Sequence, residues 1–284
     1  MRRHHKAPGT ISIVPRRMKL PFRSVSRYWF NREPVQTHLL NALSLTFPDG
    51  ERFFVDSVRA FRHAATDPEL QRAISGFIGQ EAMHSLEHAE FNRMLEAQGY
   101  RQQVADGQAL ARRFIAGGRK HLSPVEQLAV TAALEHITAI MAQWLLHNET
   151  ILAQTDPQAR ALWLWHAIEE TEHKAVAFDL LQEVTGGDYL TRVRVMAPAT
   201  WLLLVYTSIY TLAFLRQDRL HQRPLTLARG LWQLARPGGL LSSMVPAWCR
   251  YFKPGFHPWE DDDSERIDHW YATLEQTLAL NQAA

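Results

Sequence analysis

From Asn31 to Val184 apolar residues recur with the period of an amphipathic helix, and the strict alternation of a half-buried strand is almost absent. Turn signals at Pro48-Asp49-Gly50, Asp67-Pro68, Gly99, Gly117-Gly118, Asp156-Pro157 and Gly186-Gly187 divide this stretch into four long predicted helices. The first runs from about Asp49 to Ala65, with Asp49 as its N-cap. The second covers about Pro68 to Gln98 and is stopped by Gly99. The third opens at Ser123-Pro124, with Glu126 at capping-box spacing, and reaches about Leu152. The fourth spans about Pro157 to Val184. Helices of this length joined by modest loops predict an all-α four-helix bundle.

Beyond the bundle the pattern changes. Val195 to Leu215 carries no charge, and as a helix it reaches about 31 Å, enough to cross a bilayer. It reads either as a helix packed on the bundle, as a homodimer or other oligomer contact, or as a helix that contacts or inserts into a membrane. Leu225 to Trp248 mixes Leu and Trp with Arg229 and Arg236, in the manner of a basic helix lying on a membrane surface. An acidic run, Glu260 to Asp263, precedes an amphipathic helix from Glu265 to Leu280. At the other end, residues 1–30 hold eight Arg or Lys and no acid, without the apolar run of a secretory signal. They are expected to form a solvated basic arm, or one resting on anionic lipid or an acidic partner. Three parts are thus expected: the arm at 1–30, a metal-binding bundle at 31–190, and a helical extension at 191–284.

Composition narrows the chemistry. Within 284 residues, 46% apolar and 21% charged, the net charge is only +2, which gives no case for a nucleic-acid partner. A single cysteine, Cys249, excludes an internal disulfide or a Cys-based zinc site and suits the cytoplasm. Fourteen histidines are the outlier, and imidazole is the commonest metal ligand.

The candidate site lies where carboxylates and histidines share helix faces. Helix two carries Glu81-x-x-His84, and helix four carries Glu170-x-x-His173 with His166 one turn earlier. At about 100° per residue, Glu81 and His84 share a face, and His166, Glu170 and His173 form one narrow stripe. Glu51 on helix one and Glu135 on helix three give every helix a carboxylate. Bulky neighbours such as Phe77, Phe91, Trp163 and Trp165 place these acids in apolar surroundings, where four carboxylates need cations. Two divalent ions balance the four negative charges. His88, one turn beyond His84, is a candidate hydrogen-bond partner for a ligand, as is Asp179 for the free N–H of a ligating histidine. His136 is expected to face a neighbouring helix, and Glu169 and Glu172 to be salt-bridged or solvated.

The strings GQEAMHSLEH, ALEH and WHAIEETEHKAVAFD resemble the bacterial family of predicted metal-dependent hydrolases, a ferritin-like group, over about Arg32 to Leu220. The metal motif is also distantly similar to that of di-iron arylamine N-oxygenases, in which a third histidine stands one turn before the last Glu-x-x-His. Carried over by position, the resemblance implies Glu51, Glu81, His84, Glu135, His166, Glu170 and His173 as ligands of two metals, iron foremost or manganese. The reading it supports first is an O2-activating enzyme that oxygenates or oxidises a hydrophobic small molecule, supplied with electrons by a separate donor. The alternatives are a hydrolase using a metal-activated water and a non-enzymatic storage protein. A basic arm and apolar C-terminal helices add an anionic membrane surface as an expected partner and the inner face of the membrane as an expected location.

Overall fold

A computed structural model describes residues 11–283, with side chains of the last helix described as far as Leu274; residues 1–10 of the basic arm lie outside the described residues. The regular structure of the described residues is all helical, with no strand among them; residues 11–33 run ahead of the first helix without regular structure. In chain order the helices are α1 (Pro34–Ser44), α2 (Phe47–Phe61), α3 (Pro68–Leu95), α4 (Arg101–His121), α5 (Pro124–Leu146), α6 (Glu149–Ala153), α7 (Pro157–His173), α8 (Val176–Thr185), α9 (Tyr189–Arg194), α10 (Met196–Gln217), α11 (Pro224–Ala235), α12 (Leu240–Arg250) and α13 (Ser264–Ala283). The all-α class is as the periodicity predicts.

The helices that position the site are α2, α3, α5 and the α7–α8 pair: α2 packs on α3 and α5, and both α3 and α5 pack on α7 and α8. Capping residues set several of its starts. Asp67 accepts from Glu69 N at the head of α3, Asp156 accepts from Gln158 N at the head of α7, and Ser123 and Glu126 form a reciprocal capping box on α5. Between the helices the interior is lined by fully buried Ile74, Phe77, Phe91, Leu128, Leu164 and Trp165. α5 is long and apolar enough to cross a membrane by composition, yet most of it is buried at the centre of the bundle.

The predicted third helix ends at Leu146 rather than about Leu152, with α6 separate from it, and three further boundaries depart from the sequence reading. The predicted fourth helix is two, because the chain turns at Lys174-Ala175 between α7 and α8. Lys174 is buried there, its Nζ donating to Asp263 Oδ2 (2.7 Å) and Asp261 O (2.8 Å) and lying 4.0 Å from the centre of the Trp259 ring. Asp49 lies in the first turn of α2 rather than capping it. The third departure is α4, a long helix across a stretch whose glycines read as turns. Gly117-Gly118, read as a turn, lies inside it, and Gly107 is a contact point: a Cβ there would stand 2.5 Å from Leu45 Cδ1 and 3.1 Å from the Tyr206 hydroxyl.

Residues 11–30 pack on the bundle rather than extending into solvent. A Cβ on Gly76 would lie 2.3 Å from Ile13 O, and one on Gly79 would lie 2.2 Å from Pro15 Cγ, so the arm runs directly along α3. Trp29 and Phe30 are fully buried, and Trp29 Nε1 donates to Asn41 Oδ1 at 2.8 Å. Tyr189–Gln217, which holds α9 and α10, is the other stretch long and apolar enough to span a membrane. Its inner side is not free for lipid, since Tyr206, Tyr210 and Phe214 are buried and α10 packs on α1, α4 and α5.

Candidate metal centre

All seven residues expected as ligands from the sequence and its family resemblance meet in the middle of the bundle. α2 supplies Glu51, α3 supplies Glu81 and His84, α5 supplies Glu135, and α7 supplies His166, Glu170 and His173, every one of them buried. His173 Nε2 lies 3.3 Å from Glu81 Oε1, 3.3 Å from Glu135 Oε2 and 3.6 Å from Glu170 Oε1. His84 Nδ1 lies 3.5 Å from Glu81 Oε1 and 3.8 Å from Glu170 Oε1, and His166 Nε2 lies 2.9 Å from Glu170 Oε1. Three overlapping groups have atoms close enough to hold a metal ion together: Glu51, His84 and His166; Glu81, Glu135 and His173; and Glu81, His84 and Glu170.

The donor atoms fit a cation better than they fit one another. Glu51 Oε1, both oxygens of Glu81 and of Glu135, His84 Nδ1 and His173 Nε2 are buried without a hydrogen-bond partner. Each such atom costs about 1–3 kcal/mol when nothing replaces the lost water. Four carboxylates and three imidazoles around two divalent ions would satisfy these atoms and cancel the charge. Oxygen and imidazole donors without thiolate suit iron, manganese or zinc.

Without metal the cluster shares its protons unevenly. Burial pushes Glu51 and Glu81 up, with nearby carboxylates adding to burial for both, and burial with Glu170 and Glu81 alongside raises Glu135 to about 8. Glu170 moves the other way: burial opposes ionisation, but the charge of His173 holds it well below the carboxylate range. Burial would lower His84 and His173, yet Glu169 and Glu81 around the first, and Glu135 and Glu170 around the second, hold both well above it. His166 has no such excess of acids, and burial with His84 nearby lowers it to about 4.

The ring nitrogens that point away from the cluster fix which tautomer each histidine takes. Asn92 Nδ2 donates to the Ser44 carbonyl (2.9 Å), which turns Asn92 Oδ1 towards the Ser44 hydroxyl as acceptor (2.8 Å). With its proton committed, Ser44 Oγ accepts from His88 Nδ1 (2.9 Å), so His88 Nε2 accepts from His166 Nδ1 (2.7 Å). His166 Nε2 is thereby left with its lone pair towards the cluster. Gln80 does the same for His173: its Nε2 donates to Glu172 Oε2 (2.6 Å), so its Oε1 accepts from His173 Nδ1 (2.9 Å). Behind His84, Glu169 Oε2 lies 3.1 Å from Nε2.

His88 thus stands where the spacing put it, against a cluster histidine. Asp179 does not. Its Oδ1 accepts a hydrogen bond from His257 Nε2 at 2.9 Å, and its side chain is 37% exposed on α8, beyond the turn at Lys174-Ala175 that carries it away from the cluster. Gln80 and Glu169 occupy the place expected for it. Glu169 and Glu172 are salt-bridged but not solvated: Arg16 of the arm reaches both (2.9 and 3.1 Å), and Trp165 Nε1 and the Tyr271 hydroxyl add bonds to Glu169 and Glu172 respectively. His136 faces a neighbouring helix as expected, its Nε2 donating to Ala247 O at 3.1 Å. Gln80 was recognisable only as the neighbour of Glu81. Nothing in the sequence tied Arg16, Ser44 or Asn92 to the site.

A cavity of about 520 Å³ runs from the cluster to the surface. Glu51, Thr138, His166 and Glu170 line its inner end, and the Thr138 hydroxyl donates to Glu170 Oε2. Its walls are almost wholly apolar, including Phe47, Phe53, Phe54, Leu134 and Met141; exposed Arg194 and Leu202 line it as well.

Fold and cluster together describe a helical protein with candidate metal-binding groups at its centre. The chain belongs to the family described as predicted metal-dependent hydrolase, which matches residues 14–262. No curated protein and no solved structure matches it.

Proposed function

We propose that the chain is a dinuclear-metal hydrolase acting on apolar acyl esters, with Glu51, Glu81, His84, Glu135, His166, Glu170 and His173 as its metal ligands. The observation that carries this reading is the set of partnerless, buried Glu and His atoms at the inner end of an apolar cavity. Family membership supports hydrolysis over the oxidation suggested by the N-oxygenase resemblance. Two divalent ions held there would acidify a bound water and polarise an ester carbonyl.

The chain's own residues do the rest. Phe47, Phe53, Phe54, Leu134 and Met141 accept the acyl chain and exclude bulk water. Glu51 and Glu170 form the edge of the cluster that a carbonyl meets first, and the Thr138 hydroxyl keeps Glu170 in place. An ionised acid product is poorly solvated by such walls, which favours its release. The donor set specifically favours a second reading, oxidation of the same apolar substrate by O2 with iron bound and an external electron donor.

Purified protein reconstituted separately with Fe(II), Mn(II) or Zn(II) decides between them through turnover of p-nitrophenyl acyl esters and O2 uptake. We expect about two metals per chain and ester turnover that is the same with and without O2. His173→Ala should lose at least one metal and nearly all turnover. Product formation that requires O2 and reductant would replace hydrolysis with the oxidative reading.

A further inference from the structure

We propose that the outer face of α10, α11 and α12 docks on a bilayer containing anionic lipid. Among the described residues, every exposed large hydrophobic side chain except Val14 and Leu86 falls between Tyr189 and Val245. On α10, Trp201 (69% exposed), Leu204, Ile209 and Leu212 share one side of the helix, opposite buried Tyr206, Tyr210 and Phe214. Trp248 Nε1 donates to Thr200 Oγ1 at 2.9 Å, which ties α12 beside the start of α10 and adds exposed Leu241 and Val245. α11 packs on α12 and exposes Leu225, Leu231 and Trp232 (63%).

Charge selects the occupant. From Tyr189 to Trp259 the chain carries eight arginines and one lysine against a single acid, Asp218. That acid is buried and bound to Arg27 and His38, so it does not offset the surface charge. Arg216, Arg219, Arg223 and Arg236 are exposed and make no ion pair among the described residues, and exposed Arg229 has only the buried Glu33 carboxylate nearby. Apolar side chains among unpaired arginines match the acyl and headgroup layers of an anionic surface. A second copy would have to be self-complementary, and two such faces repel. Because the inner side of α10 is packed on the bundle, the helix lies against the bilayer rather than across it. Leu202 belongs to both this face and the cavity lining, so a docked molecule opens its cavity towards lipid. That last link rests on the apolar-substrate reading, whereas docking itself does not.

The test is co-sedimentation of the full chain with vesicles of phosphatidylcholine and phosphatidylglycerol in equal parts, against phosphatidylcholine alone, at low and high salt. Binding should be strong to the mixed vesicles at low salt and at least about tenfold weaker in the other conditions. The double variant Trp201→Ser with Trp232→Ser should keep its circular dichroism and lose binding by a similar factor. Should it fail to fold, Arg216→Glu with Arg236→Glu, which alters only exposed charge, should show the same loss. Absent sedimentation with mixed vesicles overturns the proposal, as does undiminished binding by a folded variant. A dimer that dissociates in these variants, with no vesicle binding, assigns the face to a second copy. None of these readouts uses turnover, so they are independent of the hydrolase reading.

Discussion

His166 presents a lone pair to the cluster for a reason that begins at a main-chain carbonyl, since the Ser44 carbonyl orients Asn92 and the order of donors then propagates through Ser44 Oγ and His88. Removing the acceptor in His88→Ala frees Nδ1 of His166, and the ring can turn or change tautomer. One of the two metals should then bind about 10–100-fold more weakly, as competition with a coloured chelator would show; unchanged affinity for both sinks the relay. A second consequence is pH dependence in the metal-free protein. Glu135 moves from about 4.3 when unfolded to about 8 when folded, so its contribution is complete at low pH and lost as the pH climbs to about 8. Glu51, Glu81, His84 and His173 are also raised and act in the same direction, while lowered Glu170 and His166 act against them. Calorimetry in chelator should therefore find Tm falling from about pH 5 to about pH 8, and metal-loaded protein should be more stable and flatter across that window. A metal-free Tm that rises over the same interval contradicts this proton distribution.

At the scale of elements, the cluster is legible because four ligands and their helix faces follow from local spacing: Glu81-x-x-His84 and Glu170-x-x-His173 stay on one side of α3 and α7 whatever surrounds them. The capping box at Ser123 is legible for the same reason, as it spans only three residues. What local spacing cannot convey is a glycine used for close approach. Gly117-Gly118 signals a turn in the sequence yet lies inside α4, and the approach of Leu45 and Tyr206 to Gly107 on the same helix is visible only with the partner helices in place. Asp179 failed similarly, since its position relative to the cluster depends on a turn at Lys174-Ala175 that is held by distant Asp261 and Asp263. The arm was the largest miss, because basic, proline-interrupted sequence looks solvated until buried acids on α7 appear beneath it. Its seat on α3 can be tested with Gly76→Ala. The new Cβ would stand 2.3 Å from Ile13 O, so the arm must lift, and Arg16 is drawn from Glu169 and Glu172. A loss of about 1–3 kcal/mol in urea unfolding is expected, with faster tryptic cleavage at Arg16-Arg17. Unaltered cleavage would mean that the arm is not seated there.

For the whole molecule, the arrangement separates two demands that ordinarily conflict: the cluster needs charged donors, and the cavity beside it needs none. The bundle meets both by giving α7 the donors on one stripe and by lining the space between α2, α5 and α10 with apolar side chains. Metal binding and substrate binding should consequently be separable by mutation. Ala142 on α5 is buried, lines the cavity and belongs to none of the candidate metal groups. In Ala142→Phe the added ring occupies space that a long acyl chain would use, while every donor stays where it was. The variant should retain about two metals per chain and turn over p-nitrophenyl acetate nearly as the parent does, while turnover of p-nitrophenyl dodecanoate falls by more than about tenfold. An equal fall for both esters would show that the substitution disturbs the cluster itself. Unchanged turnover of the long ester would show that the chain lies elsewhere, and the cavity would lose its assigned role even if the metals kept theirs.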